Sequence, residues 1–413
     1  MCPRKALPVA LLLFAVLSPR EAGSAGGGPG EFRSALEARL AQLQFPPRSE
    51  CGCGRALLYI GAYYEGFACA VHQVGMAQMV ALATNRTLVV PDKDIWGYVS
   101  GKHCAARNWG CLFRPLSSCT EKDLRRCGAK HAPAASHGLQ NYHVMAGPAR
   151  VVTYLPRGSS SKYGSVHKQL YKDKVLKSWL KAAGGVFHLR SEVQRWLWRP
   201  LPELQEGVRQ QMDQMARAEG LPEHYAAVHV RASDNLANTQ KDFGIAPATY
   251  ATGNFLAHLQ RAAAAAPTAP WGAALGEPLP VYLSTDNVKV IKELQEWHSR
   301  GGEAERLRFI YNRDSAVRAK YKDGLLHKKN KDDSAPAGMV GQTALDAVVA
   351  VEMLAGARYL LGSQISNIFR LASELHCAAR NYTTCAALAA GRDGRRIAGD
   401  SVQTVDVGWY EDP

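Results

Sequence analysis

The sequence predicts an α/β protein with parallel sheets, arranged in two lobes. Three observations carry this: strands and helices alternate through the second half, a βαβ unit opens the first globular stretch, and polar residues recur where strands end. In the second half AAVHVR (226–231) reads as a strand, and PATYATGNFLAHLQRAAAAA (247–266) as a helix stopped by Pro267. LPVYLSTD (279–286), VKVIKELQEW (288–297) and LRFIYN (307–312) continue as strand, helix and strand. After a basic loop come the helix GQTALDAVVAVEMLAGA (341–357), the strand RYLLGS (358–363) and the helix SNIFRLASEL (366–375). Such alternation makes a Rossmann-like parallel sheet, whose ligands collect outside the carboxyl ends of the strands. His229, Arg231 and Asp234 lie at the end of the first of these strands, Asp286 and Asn287 at the second, Ser363 and Gln364 at the fourth.

The first half opens in the same way. RALLYI (55–60) is a strand, GAYYEGFA (61–68) a glycine-bearing turn, CAVHQVGMAQMVALATN (69–85) a helix and RTLVVP (86–91) the next strand. Such a turn lets backbone approach a phosphate, but it is neither a Walker A loop nor a GxGxxG fingerprint. Ordinary turn chemistry accounts for Gly61 and Gly66 equally well. Residues 92–190 show little periodicity. Residues 191–220 are helical again, broken at Pro200 and Pro202, and the lobe boundary is placed there. The expected organisation is a leader at 1–25, a spacer with a short amphipathic helix at 26–50, an N-terminal lobe at 51–205, a C-terminal lobe at 206–390 and a tail at 391–413.

Arg4 and Lys5, the apolar run from Ala6 to Leu17 and small residues up to Ala25 have the layout of a secretory signal. Cleavage after Ala25 and retention as a short type II anchor both fit this layout. No other segment is expected to approach the roughly 20 apolar residues of a membrane span. Nine cysteines lie beyond this leader, consistent with local disulfides in an oxidising compartment, and Cys377 with Cys385 is the best single pair. Nine is odd, so at least one thiol stays outside an internal pair. Zinc is the rival reading, but no CxxC couplet occurs. Of the two sequons, Asn85 is expected to be shielded between a helix and a strand, and Asn381 to be open to glycan. The net charge of +14 suits an anionic ligand, an acidic polymer or an anionic surface. The basic stretches 157–177 and 318–333 read as solvated loops without the recurring aromatics of single-strand nucleic-acid binders, so no nucleic-acid partner is expected.

HVRASDN (229–235) resembles the HxRxxD motif of the α1,6-fucosyltransferases, relatives of nodulation-type and protein O-fucosyltransferases. SEVQRWLWRP, VYLSTDN, ALDAVVAVEMLAGARYLLGSQISNIFR and FACAVHQVGMAQMVALATNRTLVVP resemble further stretches of that family, in the same order. The resemblance covers roughly residues 55–380 and implies a GT-B-like fold, GDP-fucose as donor, inversion at the sugar carbon and no metal. It implies that Arg231 binds the β-phosphate, where a guanidinium fork meets charge developing on the leaving group. A salt bridge from Arg231 to Asp234 is the structural alternative. It further implies that His229 and Asp346 hold the guanosine end, that Ser363 and Gln364 donate to phosphate at a helix start, and that Gly66, Cys69 and Asp234 border the donor. Asp286 and Asn287 would meet sugar or acceptor hydroxyls.

Two departures stand out. Ala232 replaces the second arginine of the core-fucosylating members, and Asp242 falls where the family places a glutamate base. Asp242 is therefore the expected base, with pairing to Lys241 or a turn cap as the alternative. The acceptor is expected to be a glycan, or a protein Ser/Thr or polysaccharide on the same chemistry. A non-catalytic binder of glycans or nucleotide sugars on the same scaffold is the reading from another class. The expected setting is the Golgi or ER lumen, with secretion as the alternative.

Overall fold

The computed structural model describes residues 29–51, 54–59, 66–92, 99, 104–126, 131–135, 151–154, 170–231, 247–265, 277–312, 339–382, 385 and 401–405. The leader, Asp234, Asp242 and the basic stretch 318–333 lie outside the described residues.

Two all-parallel sheets organise the chain. The first holds β1 (Ala56–Tyr59), β2 (Thr87–Val89), β3 (His131–Ala135) and β4 (Val151–Tyr154) in the order β2-β1-β4-β3. The second holds β5 (Ala226–Val230), β6 (Leu279–Thr285), β7 (Leu307–Ile310), β8 (Tyr359–Gly362) and β9 (Val402–Thr404) in the order β7-β6-β5-β8-β9. The α/β class expected from strand–helix alternation is what the chain adopts, with its strands in two separate parallel sheets. Strand β9 lies in the segment that the sequence reading leaves as a tail; three residues carry no periodicity of their own, and pairing with β8 makes them a strand.

Helices cover both sheets. In chain order they are α1 (Pro29–Gln44), α2 (Phe67–Thr84), α3 (Glu121–Arg126), α4 (Lys174–Ala183), α5 (Val186–Leu197), α6 (Pro202–Glu219), α7 (Thr252–Ala265), α8 (Val288–His298), α9 (Met339–Gly356) and α10 (Asn367–Ala379). Alternate strand residues feed opposite faces, as the period of two requires. Ala227, Tyr282 and Leu360 enter one large core with α2, α5, α9 and α10, whereas Val228, Val281 and Leu361 enter a second with α7 and α8. The large core also receives Leu57, Leu88 and Val152 from the first sheet, so helices between the sheets bind the two lobes together. Helix α2 is long and apolar enough to span a membrane, contrary to expectation, but 89% of its apolar window is buried in this core.

The short helix expected at 31–44 forms, and its Leu36, Leu40 and Leu43 are buried in the large core. Two readings of the sequence need correction. The basic stretch 157–177 does not end as a loop, because Asp173 accepts from Val175 N (2.8 Å) and Leu176 N (3.1 Å) and caps α4. Asn85 is exposed rather than shielded; it ends α2 in the left-handed conformation and its Oδ1 accepts from Arg39 Nη2 at 2.7 Å.

Cys377 and Cys385 are bonded as expected, and Cys104 pairs with Cys111. Cys51–Cys119 is not local, closing 68 residues onto the outer face of the first sheet. Cys69 stays outside these bridges.

A buried carboxylate fastens α1 to the rest. Glu192 on α5 receives Arg33 Nη2 (2.7 Å), Arg195 Nε (2.8 Å) and the Tyr382 hydroxyl (2.8 Å). Burial alone would raise its pKa, but the hydrogen bonds from Arg33, Arg195 and Tyr382 outweigh burial and hold the carboxyl below its ordinary range.

Buried histidines set the acid limit of the fold. His376 donates Nδ1–H to Ala355 O (3.0 Å) and its Nε2 faces Ser401 Oγ (2.9 Å), joining α10 to α9 and to the approach to β9. Burial, assisted by the Arg380 charge, pushes its pKa down to about 3 from 6.5. As pH falls below 6.5 the unfolded chain takes up this proton and the folded chain does not. The contribution of His376 is therefore complete above 6.5 and is lost progressively towards 3. Burial shifts His72 and His188 in the same direction. The urea midpoint should fall steadily between about pH 7 and pH 5; a flat profile there would contradict the assignment.

Candidate active site

The second sheet has its switch point beside β5. From β5 the chain moves outward through β6 to β7, then crosses back through α9 to β8 on the other side of β5. In open parallel sheets the crevice at such a point, outside the carboxyl ends, receives the ligand. Arg231 follows β5 directly, and Ser363 and Gln364 follow β8. Asp286 follows β6, the other neighbour of β5. Among the described residues, the sequence-predicted set from the second lobe thus gathers on one edge, except Asp346, which lies within α9.

A hydrogen-bonded bracket fixes this edge. His229 is buried, with Nδ1 3.1 Å from Ser284 Oγ on β6 and Nε2 2.8 Å from Ser366 Oγ at the N-cap of α10. The ring therefore ties β5 to both flanking strand ends. Ser363 and Gln364 are fully buried, and Ser363 shapes the turn: its O accepts from Ser366 N (3.0 Å) and its Oγ from Ile365 N (3.3 Å). The following helix start presents backbone N–H groups at the crevice, a favourable place for an anion. Asp346 is buried, and its charge adds to burial and Tyr225 in raising the pKa of Tyr282.

Asn287 has a structural role that sequence reasoning misses. Its Oδ1 accepts from Lys289 N at 2.9 Å, so it is the N-cap of α8. Gly66 precedes α2 with its O accepting from Ala70 N, and Cys69 sits in the first turn, 4.0 Å from Gln73 Nε2. Other residues missed are Ser284 and Ser366, which bracket His229, and Gly362. A Cβ at Gly362 would lie 2.1 Å from the buried Phe369 ring, so the last residue of β8 has no room for a side chain. Gly362→Ala must displace Phe369 and the start of α10 with it. The expected result is destabilisation by about 1–3 kcal/mol with weakened nucleotide binding, checked by urea unfolding and calorimetry.

Over residues 30–300 the sequence matches the family defined by the N-terminal and catalytic domains of α-(1,6)-fucosyltransferases. The chain belongs to that family. It is therefore a glycosyltransferase of the fucosyltransferase group. Similar solved structures include NodZ α-1,6-fucosyltransferase, a Bradyrhizobium protein, soaked with GDP-fucose (14% identity, 78% of this chain and 92% of that chain, TM-score 0.42). An Arg-to-Lys variant of Arabidopsis thaliana FUT1 in complex with GDP is similar at 11% identity (87% of this chain, 75% of that chain, TM-score 0.45). POFUT1 in complex with GDP-fucose is similar at 13% identity (79% and 95%, TM-score 0.41). No curated protein matches the chain at the sequence level.

Arg199-Pro200 follow Trp198, the C-cap of α5. Trp198 Nε1 donates to Glu352 Oε1 of α9 at 2.6 Å, while Arg199 O accepts from Arg114 N (2.9 Å) and Leu201 N donates to Leu112 O (2.9 Å). This connection is thereby held by both lobes.

Proposed function

We propose that this fucosyltransferase family member moves fucose from GDP-fucose to a glycan hydroxyl, with inversion and without a metal ion. The observation that carries the reading is the cation Arg231 at the switch point, one strand from the Ser363–Gln364 turn and the start of α10. A guanidinium and helix-start N–H groups can neutralise the charge arriving on GDP as the glycosidic bond breaks. In this reading Asp346 and His229 border the guanosine end, Gly66, Cys69 and Asp234 border the donor, and Asp286 meets a sugar hydroxyl. Asn287 gives its side-chain oxygen to the α8 cap, and its amide meets a sugar or acceptor hydroxyl. Asp242 takes the proton of the attacking hydroxyl, which displaces GDP from the opposite face of the sugar carbon. The lobe before residue 205 supplies the acceptor side and the lobe after it the donor side.

Three bridges among the described cysteines and an exposed Asn381 support a setting in the secretory lumen, Golgi or ER, reached through the N-terminal leader. The reading is tested by titrating GDP, ADP and UDP into the protein in EDTA, alongside Asp346→Ala. GDP should bind at least about tenfold more tightly than the other two, and the variant should lose most of that preference. Equal affinity for the three nucleotides would overturn the donor assignment.

A further inference from the structure

Buried between the lobes is a polar group that the mechanism does not use. His72, in the second turn of α2, places Nε2 3.1 Å from Glu374 Oε2 and Nδ1 3.2 Å from Asn367 Oδ1. Both partners lie on α10, seven residues and about two turns apart, so one ring from the first lobe spans the first half of a second-lobe helix. Arg190 of α5 approaches the other oxygen of Glu374 at 3.2 Å, and Arg370 donates to Asn367 Oδ1. Asn367 immediately follows Ser366, whose hydroxyl meets His229, and Ser363–Gln364 come just before. The inter-lobe contact therefore ends one residue from the turn assigned to phosphate.

We propose that His72 is a positioning residue: through Asn367 it seats the start of α10, and with it the Ser363–Ser366 turn, for the donor diphosphate. The proposal rests on the donor reading given above. Donation from Arg370 identifies Oδ1 as the oxygen of Asn367, so both imidazole nitrogens face acceptors. The imidazolium form makes both contacts, with Glu374 as its countercharge. Burial lowers the pKa of His72, Glu374 opposes this, and Arg370 and Arg190 add to it. Protonation of His72 therefore comes only below the ordinary histidine range, and the complete contact is favoured as the pH falls through it.

The two contacts can be separated chemically. Asparagine places an amide N–H where Nδ1 stands, and glutamine places one where Nε2 stands. Affinity for GDP is measured by calorimetry at about pH 6 for the wild type, His72→Ala, His72→Asn and His72→Gln, with urea midpoints recorded beside it. The proposal expects His72→Ala to weaken GDP by about tenfold, with kcat at saturating donor much less affected. His72→Asn should recover most of the affinity and His72→Gln little, although His72→Gln, which keeps the Glu374 bond, is the more stable of the two. Wild-type affinity in all three variants would overturn the proposal. So would affinity that follows the urea midpoints, because His72 would then act only by satisfying Glu374. If alanine abolishes folding, the Asn and Gln pair decides alone. A wild type that fails to bind GDP would instead sink the donor reading, and this proposal with it.

Discussion

Arg231→Ala lowers transfer by about 10²–10³-fold in kcat, the usual cost of removing a charge-stabilising donor from an acyl- or group-transfer site. The fold is expected to survive, because Arg231 lies just past β5, only partly buried, and the strand's apolar residues Val228 and Val230 are untouched. Arg231→Lys should recover little of the loss. A lysine keeps the charge but offers a point where the arginine offers a planar fork of donors to two oxygens. Ala232 sharpens this prediction, since no second arginine follows to share the load. Steady-state kinetics with circular dichroism of each variant gives the answer. Near-wild-type turnover in the alanine variant would mean that Arg231 is a strand-end residue and nothing more.

Glu192→Ala should be strongly destabilising. Its carboxylate side chain is 1% exposed and collects Arg33, Arg195 and Tyr382, while Arg33 also reaches Ala378 O and Arg195 reaches Glu37. Removing it takes a buried carboxylate from two guanidinium groups that are 21% and 31% exposed, and Tyr382 loses its acceptor carboxylate. The expected cost is about 3 kcal/mol, at the lower end for a broken buried pair because the cations retain some water. Its acid signature is distinct from that of His376. The Glu192 carboxyl is held below its ordinary 4.5, so its contribution is present above that value and is lost as pH falls beneath it. Urea unfolding at neutral pH measures the cost; a change below about 0.5 kcal/mol would show the cluster to be a surface-like ion pair.

Much of the fold was legible because the second half alternates strongly patterned strands and helices, whose periodicities need no tertiary information. The failures have separate physical causes. Pro133 argues against a strand in HAPAA, yet β3 is the edge of its sheet, where a missing N–H is tolerated. Strand β9 is three residues long and is created by its neighbour. Helix α1 did carry a signal, Leu36, Leu40 and Leu43 at helical spacing, but a periodicity shows which face is apolar and not what it meets.

The site divides in the same way. Arg231, Asp286, Ser363 and Gln364 were readable because the sheet brings every strand end to one edge. The capping role of Asn287 was missed because residue type alone does not separate a cap from a ligand. The His72–Glu374 pair joins residues 302 apart, a distance over which nothing in a single sequence speaks.

The most direct test of the central claim is GDP release by the fragment 26–413 from GDP-fucose in EDTA, with N-glycans, O-glycan-type peptides and polysaccharides as acceptors and Arg231→Ala alongside. Release that depends on one acceptor, persists in EDTA and disappears in the variant is the predicted result, and the acceptor that responds names the linkage class. Release that stops in EDTA, or that continues undiminished without Arg231, would contradict the account.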